Sequence, residues 1–341
     1  MPVNQTLSNY SDMAYATSVV IYIASMLLYF GEFALGRVAT AAQAREAALV
    51  GVKSGAQKSG AEKSSDAKDV IGHVPAAPKR PLAERLGGMA VSMTVLGALV
   101  HFGSLLTRGL ATGRVPWGNM YEFGSAICLA AVVAWLIVLF RQLRNARREA
   151  TPAQLRGLGG FLMLPVTLLL FLSGTVLYAD AAPLQPALQS YWIIIHVAAA
   201  IVSSGALLFA GVASILYLLR SRYENNPLKM VKFGSRLPTS QALDRMAYRA
   251  TVIIFPVWTF AIVAGAIWAE AAWGRFWGWD PKETCAFIAW IVYAAYLHAR
   301  ATAGWRGVRS AWINILGLAV MIFNLFFVNL VVTGLHSYAG L

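Results

Sequence analysis

Apolar stretches of about 17–25 residues recur along this chain, each long enough to cross about 30 Å of hydrocarbon as a helix. Eight fall at about 14–36, 88–106, 122–140, 159–178, 191–219, 251–270, 284–299 and 310–333, the fifth long enough to tilt or protrude. A continuous apolar run in lipid must satisfy its own backbone hydrogen bonds, which a helix does; the strands of a barrel would alternate apolar and polar residues instead. The expected fold class is therefore all-α: a polytopic integral membrane helical bundle of about eight transmembrane helices, its lipid contact the bilayer itself. Composition agrees, with 58% hydrophobic and only 13% charged residues, far more apolar than a soluble core of this size requires.

Charge sets the orientation. Of the 28 lysines and arginines, 24 lie in the connections 37–87, 141–158, 220–250 and 300–309, and only Arg108, Arg114, Arg275 and Lys282 lie on the opposite face. The positive-inside rule then puts the basic loops in the cytoplasm and both termini outside. This topology accounts for the net charge of +13 without a nucleic-acid partner. Residues 1–13 lack a basic leader, so the first run is read as a retained anchor spanning residues 1–36. Residues 37–87, rich in Ala, Gly, Lys and Ser and containing His73, read as a flexible cytoplasmic linker, and residues 88–341 as the functional transmembrane domain. Cys128 and Cys285 stand apart and read as inert helix residues rather than a redox pair.

The outer connections are short and unusual. One runs Arg114-Val115-Pro116-Trp117-Gly118-Asn119-Met120-Tyr121-Glu122; another runs from Trp268 to Glu283 and holds Trp268, Trp273, Trp277 and Trp279. Tryptophan favours the headgroup level of any membrane protein, but such a belt does not call for Gly274 and Gly278 between the rings or for Asp280-Pro281-Lys282-Glu283 after them. Indole faces stack on a large planar ligand, and glycines let backbone and ring come close.

Histidines at membrane depth default to function, with a hydrogen bond to a neighbouring helix as the plain alternative. His196 lies five residues past Tyr191, about 8 Å below the outer mouth, and His336 follows the eighth run by a few residues. Both are on the side of the tryptophans, where neutral imidazoles can serve as axial ligands to heme iron. His298 lies about 21 Å below that boundary, too deep to share an iron with His196, and so implies a second site or none. His101 is nearer in depth to His196 and stands as a rival outer ligand or a buried hydrogen-bonding residue. There is no internal repeat, P-loop, HExxH or credible nucleophile elbow.

The run Trp273 to Cys285 resembles the WWD signature of heme-handling membrane proteins. Pro116 with Asn119-Met120-Tyr121-Glu122, Tyr191-Trp192 with His196-Val197, Tyr296-Leu297-His298-Ala299-Arg300 and Leu335-His336-Ser337-Tyr338 resemble, in order, segments of the CcsA (ResC) family of System II cytochrome c biogenesis. The likeness covers the chain from about residue 88 onward; it departs at Phe276, where family members often carry Trp.

The resemblance implies heme b as cofactor, with His196 and His336 ligating an outer heme iron and His298 a transmembrane one. It adds Trp273, Trp277, Trp279, Asp280, Lys282 and Glu283 to the cofactor-binding set, with no catalytic residue separate from the heme ligands. It implies a CcsB (ResB) partner that supplies the other ligand of the transmembrane heme. The activity implied is that of a cytochrome c heme lyase in a bacterial plasma membrane, joining heme to the thiols of a CxxCH apocytochrome c on the extracytoplasmic face. Arg114, Arg275 and Lys282 are the alternative cations on that face for meeting heme propionates, and the sequence does not choose among them. A transporter handing heme to a separate ligase predicts the same histidines; an electron-passing b-type cytochrome would need two stacked histidine pairs, which the depths do not supply; a cofactor-free scaffold would be colourless.

Overall fold

The computed structural model describes residues 3–35, 81–144, 150–184, 188–228 and 230–336. Most of the expected linker, with His73, and the C-terminal Ser337-Tyr338 lie outside the described residues. Among the described residues nine helices run in order: α1 (Gln5–Leu35), α2 (Leu82–Thr112), α3 (Met120–Arg144), α4 (Pro152–Thr175), α5 (Tyr191–Asn225), the single turn α6 (Val231–Gly234), α7 (Ser240–Trp273), α8 (Pro281–Ala301) and α9 (Val308–Val331). No strand occurs among the described residues. The helices outrun the apolar segments that mark them, so residues 82–87, read from sequence as the end of the linker, are already the first turns of α2.

Seven of these helices are long and apolar enough to cross a membrane. The chain is a multi-pass membrane protein. The less apolar one is α8, which carries Lys282, Glu283, His298 and Arg300. It nonetheless runs the length of the bundle. At its start Asp280 bonds to His336 beyond the end of α9, and at its finish Arg300 pairs with Asp244 in the first turns of α7 at 2.6 Å. Its 21 residues span about 31 Å.

Helix boundaries follow from local chemistry. Thr151 caps α4 in a reciprocal capping box with Gln154, and Pro152 occupies the first helical position, where its missing N–H costs nothing. Ser190 caps α5 and Thr239 caps α7. Gly113 ends α2 and Gly274 ends α7, both left-handed, at φ of 65° and 69°.

The first helix packs on α2 and α4 with an inward face of Ser8, Ser11, Tyr15, Ser18, Tyr22, Ser25, Tyr29 and Glu32, at helical spacing. Burying serines and tyrosines while exposing Val20 and Leu27 inverts a soluble helix, and lipid as the solvent explains it. Small hydroxyls let α1 and α2 approach: Ser11 Oγ donates to Ser104 O at 2.9 Å, and Ser25 Oγ meets Thr94 Oγ1 at 2.6 Å. The remaining half is built from α5 against α7 and α8 against α9, with α3 joining the two halves through α5.

The two ends of the bundle differ. One carries Glu32–Arg156 and Arg300–Asp244, beside the basic connections. The other, the loop end, carries the tryptophans, both described chain ends (Asn4 N–H donates to Ala111 O at 2.9 Å) and a buried charge cluster. There Glu122, 0% exposed, accepts from Arg108 Nε at 3.1 Å, from Arg114 at 2.7 and 3.0 Å and from Gly118 N–H at 2.8 Å. Arg108 also reaches Asp12 at 3.4 Å and the Ala179 carbonyl. These bonds fasten α1, the α2–α3 turn and the segment after α4 together, and leaving either guanidinium alone would strand a buried charge.

Candidate functional site

At the loop end the helices part around one apolar cavity, about 1520 Å³ counted out to its open mouth. Its wall is drawn from the turn before α3, from α3, α4, α5, α7, α8 and α9, and from the tryptophan loop and His336. Residues more than 200 positions apart thus share one chamber.

Two histidines face it, each held by its Nδ1. His196, on the second turn of α5, has Nδ1 at 2.7 Å from the Ala261 carbonyl on α7. With Nδ1–H as donor, Nε2 carries the lone pair, the tautomer a metal-ligating histidine needs. The approach depends on Gly265, one turn further along α7: a Cβ there would stand 2.7 Å from His196 Cε1 and Nδ1. His336 has Nδ1 at 2.7 Å from Asp280 Oδ2. A carboxylate behind an imidazole orients the ring and raises its basicity.

Trp268 is in contact with both. Its ring is parallel to that of His196 at 6.2 Å between centroids and 5.8 Å from that of His336, while Trp273 meets His336 edge-on at 5.1 Å. His196, His336, Trp273, Trp277, Lys282 and Glu283, six of the residues singled out in the sequence, therefore surround a single space.

The loop between α7 and α8 owes its shape to Asp280 and Glu283. Asp280 caps α8 in a capping box with Glu283, and Pro281 takes the first helical position. Glu283 Oε2 accepts from Gly278 N–H at 2.9 Å and from Asp280 N–H at 3.1 Å, drawing the loop back on itself. Trp279 sits in the left-handed region at φ 56°, 67% exposed, and packs edgewise on Trp277 at 5.7 Å outside the cavity wall. Asp280 faces away from the cavity and serves it through His336. Both of its oxygens are engaged: Oδ1 accepts from Leu335 N–H at 2.7 Å, and Oδ2 accepts from His336 and, at 3.2 Å, from Lys282 N–H. Burial alone would raise its pKa, but the bond from His336 and the two N–H groups outweigh it and hold the carboxyl below its ordinary value.

His298 belongs to none of this. It lies exposed near the far end of α8, on the flank of the bundle. His101 is a core residue: wholly buried between α1, α2 and α3, it has Nε2 at 2.7 Å from Ser125 Oγ and Nδ1 at 3.4 Å from the Tyr22 hydroxyl. Of its two sequence readings, the buried hydrogen-bonding one describes it.

The three outer cations also separate. Arg114 is committed to Glu122, and Arg275 lies 5.8 Å over the Trp273 ring with a long 3.4 Å contact to Glu283. Lys282 is the one on the cavity wall. Sequence reasoning passed over Gly265, Trp258 and Asn324, which also line the chamber; Gly265 among the alanines of α7 carried no signal that would mark it.

Residues 117–336 match the family described as Cytochrome C assembly protein, a segment that begins at a wall residue of the cavity, Trp117, and ends at its second histidine. The chain belongs to this family. Within it, the chain is 36% identical over 276 residues to the cytochrome c biogenesis protein CcsA of Parasynechococcus marenigrum (strain WH8102), covering 74% of this chain and 86% of the relative. It is 33% identical over 281 residues to the CcsA of Trieres chinensis, with the same coverage, and 37% identical over 239 residues to that of Chlamydomonas reinhardtii, covering 69% and 64%. A role in cytochrome c maturation follows for this CcsA-family chain.

The donor set fits heme. Two imidazoles with anchored Nδ1 atoms, an apolar chamber walled by indoles and a cation on its wall match an iron, a macrocycle and a carboxylate respectively.

Proposed function

We propose that this chain holds heme b at the loop end through His196 and His336 and presents it for attachment to a CxxCH apocytochrome c, working with a CcsB (ResB)-like partner as a cytochrome c heme lyase. The observation that carries the reading is that the two histidines share one cavity and that each is fixed by a bond to Nδ1. The bias of basic residues toward the other end supports placing the loop end on the extracytoplasmic face, and the membrane we assign to the chain is a bacterial plasma membrane.

The chain's own groups supply binding and orientation. Ala261 and Asp280 set the two imidazole planes, and Trp273 and Trp277 belong to the largely apolar wall around them. Heme, when bound, contributes vinyl groups across whose double bonds the substrate thiols add, the sulfur to one carbon and the proton to the other. Such an addition needs alignment rather than a protein nucleophile. His298, exposed on the flank at another depth, is suited to an iron shared with the partner chain within the bilayer.

The test is an absorption spectrum of the purified chain, with and without its partner, followed by assay of a CxxCH apocytochrome. Low-spin bis-histidine bands and a thioether product from the complex alone are expected. Heme bands without thioether product would assign delivery to a separate ligase; a colourless protein that takes up no added heme would end the reading.

A further inference from the structure

The cavity is apolar except at a few points, and the most unusual of these is an ammonium. Lys282 lies in the first turn of α8, on the wall of the chamber. Its Nζ donates to Asn329 Oδ1 on α9 and stands 3.8 Å from Met120 Sδ on α3. An ammonium has three N–H donors; an amide oxygen takes one, and a thioether is a weak acceptor.

The neighbouring carboxylates are spoken for. Asp280 uses its oxygens on Leu335, His336 and the Lys282 backbone, and Glu283 uses its own on Gly278, Asp280 N–H and Arg275. Among the described residues no carboxylate forms an ion pair with Lys282. Asn329 steers the ammonium without neutralising it. A cation in a low-dielectric wall is costly until an anion joins it. The ligand that completes this site therefore has an apolar body for the chamber and an anionic group at Lys282.

We propose that Lys282 is the propionate post of the cavity: its ammonium, held by Asn329, receives one carboxylate of the macrocycle and so sets which edge of the ring is offered at the mouth. This rests on the reading of the cavity as a heme site. Asn329 orients the post and touches no ligand in this account. Arg114 and Arg275, the other two cations of this end, are tied to Glu122 and lodged over Trp273.

The experiment compares hemin with hemin dimethyl ester, whose propionates carry no charge. Full-length protein in detergent is titrated with each while the low-spin absorbance is read, for wild type, Lys282→Met, Lys282→Gln and Lys282→Arg. Wild type is expected to prefer the free acid by about tenfold or more, the scale of one charge-assisted bond in a partly dry site. Lys282→Met should bind acid and ester alike, at the affinity wild type shows for the ester, and Lys282→Arg should restore the preference. Unchanged ester binding by Lys282→Met certifies an intact pocket; should that variant fail to fold, Lys282→Gln must show the same loss. A preference that survives in the Met or Gln variant overturns the proposal. Wild type binding neither compound overturns the heme reading instead, and the post with it.

Discussion

Replacing Asp280 separates the framework of the site from its chemistry. The side chain is 4% exposed and accepts from His336 Nδ1, Leu335 N–H and Lys282 N–H. Asp280→Ala removes an N-cap, a loss of about 1 kcal/mol. It also leaves the His336 and Leu335 donors without their acceptor, at about 1–3 kcal/mol each. The expected destabilisation is on the order of 3–5 kcal/mol, since such losses within one cluster do not add fully. Asp280→Asn keeps a good cap and one oxygen acceptor but gives up the charge, so about 1–2 kcal/mol is expected. The assay pairs thermal unfolding in detergent with redox titration of bound heme. The Ala variant should lose stability and heme together. The Asn variant should stay folded and bind heme, with its midpoint potential raised, because an uncharged partner makes His336 a less basic ligand that stabilises ferric iron less. Identical potentials in wild type and Asp280→Asn would refute the claim that the carboxylate raises the basicity of His336. The pH dependence has a defined sign. Asp280 sits below its ordinary pKa in the folded state, so its contribution is complete above about pH 4 and is lost as pH falls through the folded value. Titration between pH 8 and 5 should not move it.

Three other outcomes follow from the geometry. Gly265→Ala would put a methyl 2.7 Å from the His196 ring, so it should cost about 1–3 kcal/mol and shift the heme spectrum, whereas Gly103→Ala on α2, where a methyl meets nothing within 4 Å, should do neither. His298→Ala should lower heme content and cytochrome assembly while leaving the outer pocket able to bind added heme; wild-type levels of both would remove the transmembrane site. With Cys128 and Cys285 replaced, a thiol introduced at Gly274 should react with an impermeant reagent from outside and one at Arg306 should not, and the reverse pattern would invert the orientation.

Much of this molecule is legible in its residues because lipid imposes one strong rule. Apolar runs mark the helices, although the run at 284–299 understates α8, which extends through Lys282 at its start and Arg300 near its end, each bonded to a neighbouring helix. The tryptophan loop announces itself through composition, whereas depth leaves both His101 and His336 open as partners of His196, and only the resemblance to the CcsA family singles out His336. What composition does not carry is how long-range contacts divide labour. Asp280 and Glu283 read as ligand contacts beside the tryptophans, yet their first task is to cap α8 and close the loop, and Asp280 reaches the cavity through a histidine 56 residues away. Arg114 looks like a free cation until Glu122 is found beneath it. His101 and His196 lie at similar depths; only the neighbours distinguish them, Ser125 and Tyr22 around one, an open chamber before the other.

The claim that two histidines grip one iron is tested most directly by imidazole rescue. Replacing a ligating histidine with glycine removes an iron bond and leaves room for a free imidazole, whereas a structural histidine is missed through packing and hydrogen bonds that free imidazole restores poorly. His196→Gly and His336→Gly should each abolish cytochrome assembly and the low-spin heme bands, and both should return in part with added imidazole. His101→Gly, which breaks contacts to Ser125 and Tyr22, should show no such rescue. Full assembly without imidazole in either His196→Gly or His336→Gly would contradict the account, and selective rescue at His101 would move the ligand to α2.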